Sequence, residues 1–146
     1  MDATSTSASI VALVGYAAWT LTLLASIACH RLVLVLRGQR RANGFSPWGD
    51  DVSPASARLC RAHANCVENL PIFAAVVVAA VLAGAHHVTD PLALWVLAAR
   101  IAQSVAHLTS TSTTAVTVRF SFMTVQMLVQ GKWTLELLGE WVRTVA

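Results

Sequence analysis

Residues 58–73 read R58-L-C-R-A-H-A-N-C-V-E-N-L-P-I-F73. They run directly into an apolar stretch, Ala74 to Ala85. Arg61, His63, Asn65 and Glu68 therefore stand where an apolar surface begins. A buried charge is costly unless it is paired or put to use, so polar side chains in this place need a reason.

Composition says what kind of apolar surface this is. The chain has 146 residues, of which 56% are hydrophobic and only 12% charged; its mean hydropathy is +0.64. Soluble domains carry roughly 25% charged residues. So little charge cannot cover a water-facing surface, and residues 1–146 read as a single integral membrane domain. A net charge of +3 is too small to argue for a partner. Five tryptophans suit a membrane interface, and no basic helix interleaved with stacking aromatics points to nucleic acid. Cys29, Cys60 and Cys66 are odd in number and lack metal-ligand spacing, so they read as packing residues and no metal site is expected. The opening MDATSTSASI has no Lys or Arg, and the apolar run behind it is too long for a cleaved signal. The first segment reads as a retained helix.

A bilayer crossing needs roughly 20 mostly apolar residues. Four segments qualify, at about residues 10–36, 59–84, 91–108 and 116–138, which predicts an all-α, multi-pass four-helix bundle. Residues 37–57, RGQRRANGFSPWGDDVSPASA, form a polar loop. Residues 85–90, AHHVTD, read as a short turn, with His86 and His87 in it and Pro91 in the first turn of the next helix. Residues 109–114, TSTSTT, form a polar link. Arg37, Arg40, Arg41 and Arg58 flank or occupy the first loop, and the second loop has no Lys or Arg. The positive-inside rule then places the first loop in the cytoplasm and both termini on the opposite side.

Arg61, Asn65 and Glu68 are spaced i, i+4 and i+7. At about 100° per residue they share one face of the second helix, and His63 points the other way. Pro71 removes one backbone hydrogen bond and frees the Val67 carbonyl, which predicts a kink beside Glu68. The third helix repeats the pattern with Arg100, Gln103 and His107, with Ser104 close by. The fourth does so with Arg119, Gln126 and Gln130. The three stripes are expected to face one another. A charge at membrane depth costs about 2.5–3.5 kcal/mol, and pairing relieves it; an ion pair between Glu68 and Arg100 is one option. One carboxylate cannot neutralise Arg61, Arg100 and Arg119 together. The surplus is positive, so the natural guest is an anion. Arg58 and Arg37 lie near helix ends and can snorkel to headgroups. Gln126 and Gln130 read as interhelical hydrogen-bonding residues.

The stretch R61-A-H-A-N-C-V-E-N-L-P-I-F73 resembles the signature of the MAPEG family, the membrane-associated proteins in eicosanoid and glutathione metabolism. That signature is Arg-Ala, then Asn, then Glu three residues on, then Pro and an aromatic. R100-I-A-Q-S-V-A-H-L108 is similar to the family's third helix and V118-R-F-S-F-M123 to the start of its fourth. The likeness spans the chain from about Arg37 to Gln130; its second-helix motif is the specific part. It implies a homotrimer that binds glutathione between subunits at the cytoplasmic side. Arg61, Asn65 and Glu68 would hold glutathione, with Arg100, Gln103 and His107 beside them. Arg119 would stabilise the thiolate, and Arg41, or Arg40, matches a basic residue at the end of the first helix.

Glutathione is itself a small anion with two carboxylates, an amine and a thiol, which suits a positive pocket with one carboxylate. Its thiol, with a pKa of about 8.5, reacts as the thiolate, which a neighbouring arginine favours. The resemblance therefore implies a transferase acting on lipophilic electrophiles, or a lipid hydroperoxide peroxidase. Ala64, Gln103, His107 and Phe120 depart from the pattern of some members and argue against a prostaglandin synthase. Two other classes remain: a non-enzymatic lipid-binding protein of the same fold, and a small ion transporter, for which no inverted repeat is visible.

Overall fold

The computed structural model describes residues 7–145. The outermost terminal residues, expected opposite the first loop, lie outside the described residues. Four helices follow in order: α1 (Ala8–Leu36), α2 (Pro54–Leu82), α3 (His86–Thr109) and α4 (Thr113–Val145). At 1.5 Å per residue they run from about 36 Å to about 50 Å in length.

Local chemistry sets the boundaries. Ser7 caps α1, its side chain accepting from the Ser9 amide at 3.2 Å. Ser53 caps α2 by accepting from the Ser56 amide at 3.1 Å, and Pro54 takes the first helical position, where a missing N–H costs nothing. α1 and α2 end on the same device. Gly38 (φ 68°) and Gly84 (φ 71°) turn left-handed. Gly38 and Gln39 then donate back to Val35 and Leu34 at 2.9 Å each, and Gly84 and Ala85 to Val81 and Ala80 at 3.1 and 2.8 Å. Both stops satisfy carbonyls that a helix end would otherwise leave orphaned.

Three boundaries differ from the sequence reading. Helix α2 starts at Pro54 rather than near Leu59, because the Ser53 cap lies upstream. Residues 86–90 are helical rather than a turn, so the α2–α3 connection is only residues 83–85. The Gly84 stop is tight enough to let α3 begin at once, and Pro91 lies inside α3. Helix α4 continues to Val145, beyond residue 138. Helix α2 passes through Pro71 without interruption.

The helices alternate in direction. The α1 and α3 N-termini meet at one end, where Asp90 accepts from the Ser9 amide at 2.9 Å and from the Ser9 hydroxyl at 2.7 Å. The first loop and the α3–α4 link lie at the other end. Small residues, Ala12, Ala62 and Ala93, let the helices approach, and Tyr16, Phe73 and Trp133 fill the centre. Their rings stack obliquely, 5.4 Å from Tyr16 to Phe73 and 6.3 Å from Phe73 to Trp133. Such packing, rather than escape from water, holds helices together in lipid. Leu21, Leu82, Trp95 and Leu128 project outward. Helices α1, α2 and α3 are each long and apolar enough to cross a membrane. Helix α4 is long enough but carries Arg119, Gln126, Gln130 and Lys132 within its span.

Candidate functional site

The first-loop end of the bundle gathers the polar stripes, and the edge of the core divides them. On α2 the buried line is Ala62, Cys66, Phe73 and Val77. Asn65 lies at its margin and is half-buried; Arg61 and Glu68, on the same stripe, are exposed. On α3, Arg100, Gln103 and Ser104 are buried, Arg100 completely. On α4, Gln126 and Gln130 are buried as well. The inward parts of the stripes do face one another. Arg61 and Glu68 face outward from the single chain.

Arg100 donates from Nη1 to the Asn65 side-chain oxygen, and again to the Asn65 carbonyl at 3.5 Å. Its guanidinium lies over the Tyr16 ring, 5.4 Å from the centroid; an aromatic face attracts a desolvated cation. Its Nε and Nη2 have no partner among the described residues. The ion pair with Glu68 does not form. Arg100 meets α2 one turn earlier, at Asn65, and Glu68 makes no ion pair among the described residues. Gln103 Nε2 also donates to the Asn65 oxygen at 3.1 Å, and Gln126 Nε2 donates to Gln103 Oε1 at 2.9 Å. Arg100 and Gln103 therefore stand behind Asn65.

His107 is half-buried near the end of α3. The guanidiniums of Arg119, Arg100 and Arg61 all act on its ring through space. Arg119 Nη1 donates to the Ser110 carbonyl at 3.2 Å, which ties the α3–α4 link to α4. Arg58, expected to snorkel, instead donates from Nε to the Leu108 carbonyl at 2.9 Å and closes the end of α3.

The first loop folds over this end. Gly49 is buried at φ 67°, and a Cβ there would stand 2.7 Å from Ser56 Oγ and 2.8 Å from Cys60 Sγ; only glycine allows the loop so close to α2. The Ser46 hydroxyl and loop amides hold the Asp50 carboxyl below its ordinary range, with help from the nearby Arg61 charge. Arg40 pairs with Asp51 at 2.9 Å and is committed to the loop. Arg41 is exposed. No group of His, Cys, Asp or Glu able to hold a metal occurs among the described residues.

Two residues outside the sequence reading belong to this region. Tyr16 is the chain's single tyrosine; a lone phenol in an apolar helix was the available signal. Its hydroxyl donates to the Cys66 carbonyl at 3.3 Å while its face supports Arg100. Arg31 lies in a cleft of about 220 Å³ with Trp48, Cys60 and His63. It donates to the Ser46 carbonyl at 2.7 Å, and its Nε is buried with no hydrogen-bond partner among the described residues.

The arrangement suits a small anion that also carries a positive group. Arg61, Arg100 and Arg119 stand at this end on three helices, and Glu68, exposed on the outer face, makes no ion pair among the described residues. No curated protein and no solved structure matches the chain. The model of the MAPEG family matches residues 9–139, nearly the whole length. With four helices, an apolar exterior and the second-helix motif in place, the chain belongs to the MAPEG family of helical membrane proteins of glutathione and eicosanoid metabolism.

Proposed function

We propose that the protein is a glutathione-dependent membrane transferase or peroxidase that works as a homotrimer on lipophilic electrophiles or lipid hydroperoxides. The observation that carries this reading is the pair Arg61 and Glu68. They are opposite charges on one face of a membrane helix, both exposed, beside an Asn65 held from behind. Each would cost about 2.5–3.5 kcal/mol facing hydrocarbon. A second copy covering that face, with an anionic guest between, removes the cost.

Glu68 accepts from the glutathione amino group. Arg61 and the Asn65 amide donate to its carboxylates, with Arg41 at the loop edge and His107 along the wall. Arg119 faces the sulfur and favours the thiolate. In the transferase reaction the thiol proton leaves to water and the thiolate forms a C–S bond with the electrophilic carbon. The leaving group departs with its electron pair. With a hydroperoxide the thiolate attacks the terminal oxygen, the O–O bond breaks with its electron pair going to the alkyl oxygen, and that alkoxide takes a proton from water. The alcohol is released, and a second glutathione converts the sulfenic acid to disulfide and water. The first loop is cytoplasmic in this reading, and both termini lie on the opposite side.

Calorimetry tests it. Glutathione should bind the detergent-purified protein with proton release that depends on pH, and S-methylglutathione should bind without it. No binding by folded protein at millimolar glutathione would favour the non-enzymatic lipid-binding reading.

A further inference from the structure

We infer that Gln126 and Gln103 are positioning residues. Without touching the ligand, they set the Asn65 amide so that it presents its NH2 group outward; the inference rests on the glutathione reading above.

The chain of amides runs from α4 through α3 to α2, and both of its ends are chemically fixed. The Phe122 carbonyl can only accept, so Gln126 must turn its NH2 towards it, at 2.8 Å. The same NH2 reaches Gln103 Oε1 at 2.9 Å. Gln103 therefore turns its own NH2 to Asn65 Oδ1, at 3.1 Å. At the other end Arg100 can only donate, and it too meets Asn65 Oδ1. Flipping any one amide would set donor against donor or acceptor against acceptor, so the orientation of each follows from the inventory of groups.

The consequence falls on Asn65. Its side-chain oxygen is taken by Arg100 and Gln103. Its Nδ2 makes no hydrogen bond among the described residues and lies on the stripe of Arg61 and Glu68. The stripe thus offers donors at Arg61 and Asn65 and an acceptor only at Glu68. A carboxylate or carbonyl is accepted beside Asn65, and an ammonium is directed to Glu68. Gln103 and Gln126 are 2% and 1% exposed, too deep to reach the ligand themselves. Gln126 Oε1 is also buried with no hydrogen-bond partner among the described residues. That is a cost an apolar residue of the same size would avoid, so stability alone is a poor reason for glutamine here.

The test is a double-mutant cycle on the full-length protein, read as glutathione Kd by calorimetry. Gln126→Met keeps volume and flexibility but removes the donor. Gln126→Glu keeps shape but cannot donate as the carboxylate. Each should weaken glutathione binding about three- to tenfold, the range for one lost hydrogen bond. In an Asn65→Ala background neither should change Kd by more than about twofold. Equal losses in both backgrounds would mean that Gln126 acts on the bundle generally and would overturn the inference. Unchanged Kd in both variants would overturn it too, with wild-type binding leaving the glutathione reading intact. Failure of the wild type itself to bind would overturn both.

Discussion

The two ends of the bundle are both polar, and they differ in whether the polar groups have found one another. At the end where α1 and α3 begin, Asp90 accepts from the Ser7 hydroxyl and from the amide and hydroxyl of Ser9. The Ser9 hydroxyl also lies 2.7 Å from Thr89 Oγ1. That knot is closed and holds two helix starts together. At the first-loop end, Arg61 and Glu68 are exposed, and among the described residues Arg100 keeps two nitrogens without hydrogen-bond partners and Arg31 keeps one. Closed polar clusters build the fold. Open ones, inside an apolar span, are where the proposed function puts a second copy and a ligand.

The largest expected effect breaks the closed end. Asp90→Ala orphans the α1 start and should cost about 2–3 kcal/mol, read as a lower Tm in detergent, with glutathione Kd within about twofold of wild type. The open end should behave in reverse. Arg61→Ala and Glu68→Gln should each raise the glutathione Kd about tenfold or more, equal to ~1.4 kcal/mol, while Tm stays within about 2 °C. A large loss of Tm in either would contradict the comparison. Gly49→Ala belongs to both categories. Its Cβ would collide with Ser56 and Cys60 in a left-handed backbone, costing about 1–2 kcal/mol. Displacing the loop that carries Asp50 past Arg61 should weaken glutathione binding as well. The smallest effect is His87→Ala. Its contact with Glu140, 3.3 Å long, is largely exposed, and such pairs contribute about 0–1 kcal/mol. Thermal melting should barely register it.

The helices, their number and their polar stripes were legible in the sequence, because hydrophobic length and a 100° repeat are local properties. The phase of each stripe against the core was not. Arg61, Asn65 and Glu68 fall within a narrow arc, yet the core margin passes between Asn65 and the other two. Only the packing of α2 on α3 decides where that margin lies. The partner of Arg100 was hidden for a similar reason. Glu68 was the obvious counter-charge, but Arg100 meets Asn65 and the ring of Tyr16, which is far away in the chain. The polar residues at 86–90 looked like a turn because their purpose, tying down Ser7 and Ser9, depends on a helix start some 80 residues earlier.

In the proposed function, Glu68 receives the amino group of glutathione. The direct measurement compares the Kd of glutathione with that of its des-amino analogue, glutaryl-cysteinyl-glycine, in wild type and in Glu68→Gln. Removing the amine should weaken binding about tenfold in wild type and by less than about twofold in the variant. Equal weakening in both proteins, or none in wild type, would contradict it.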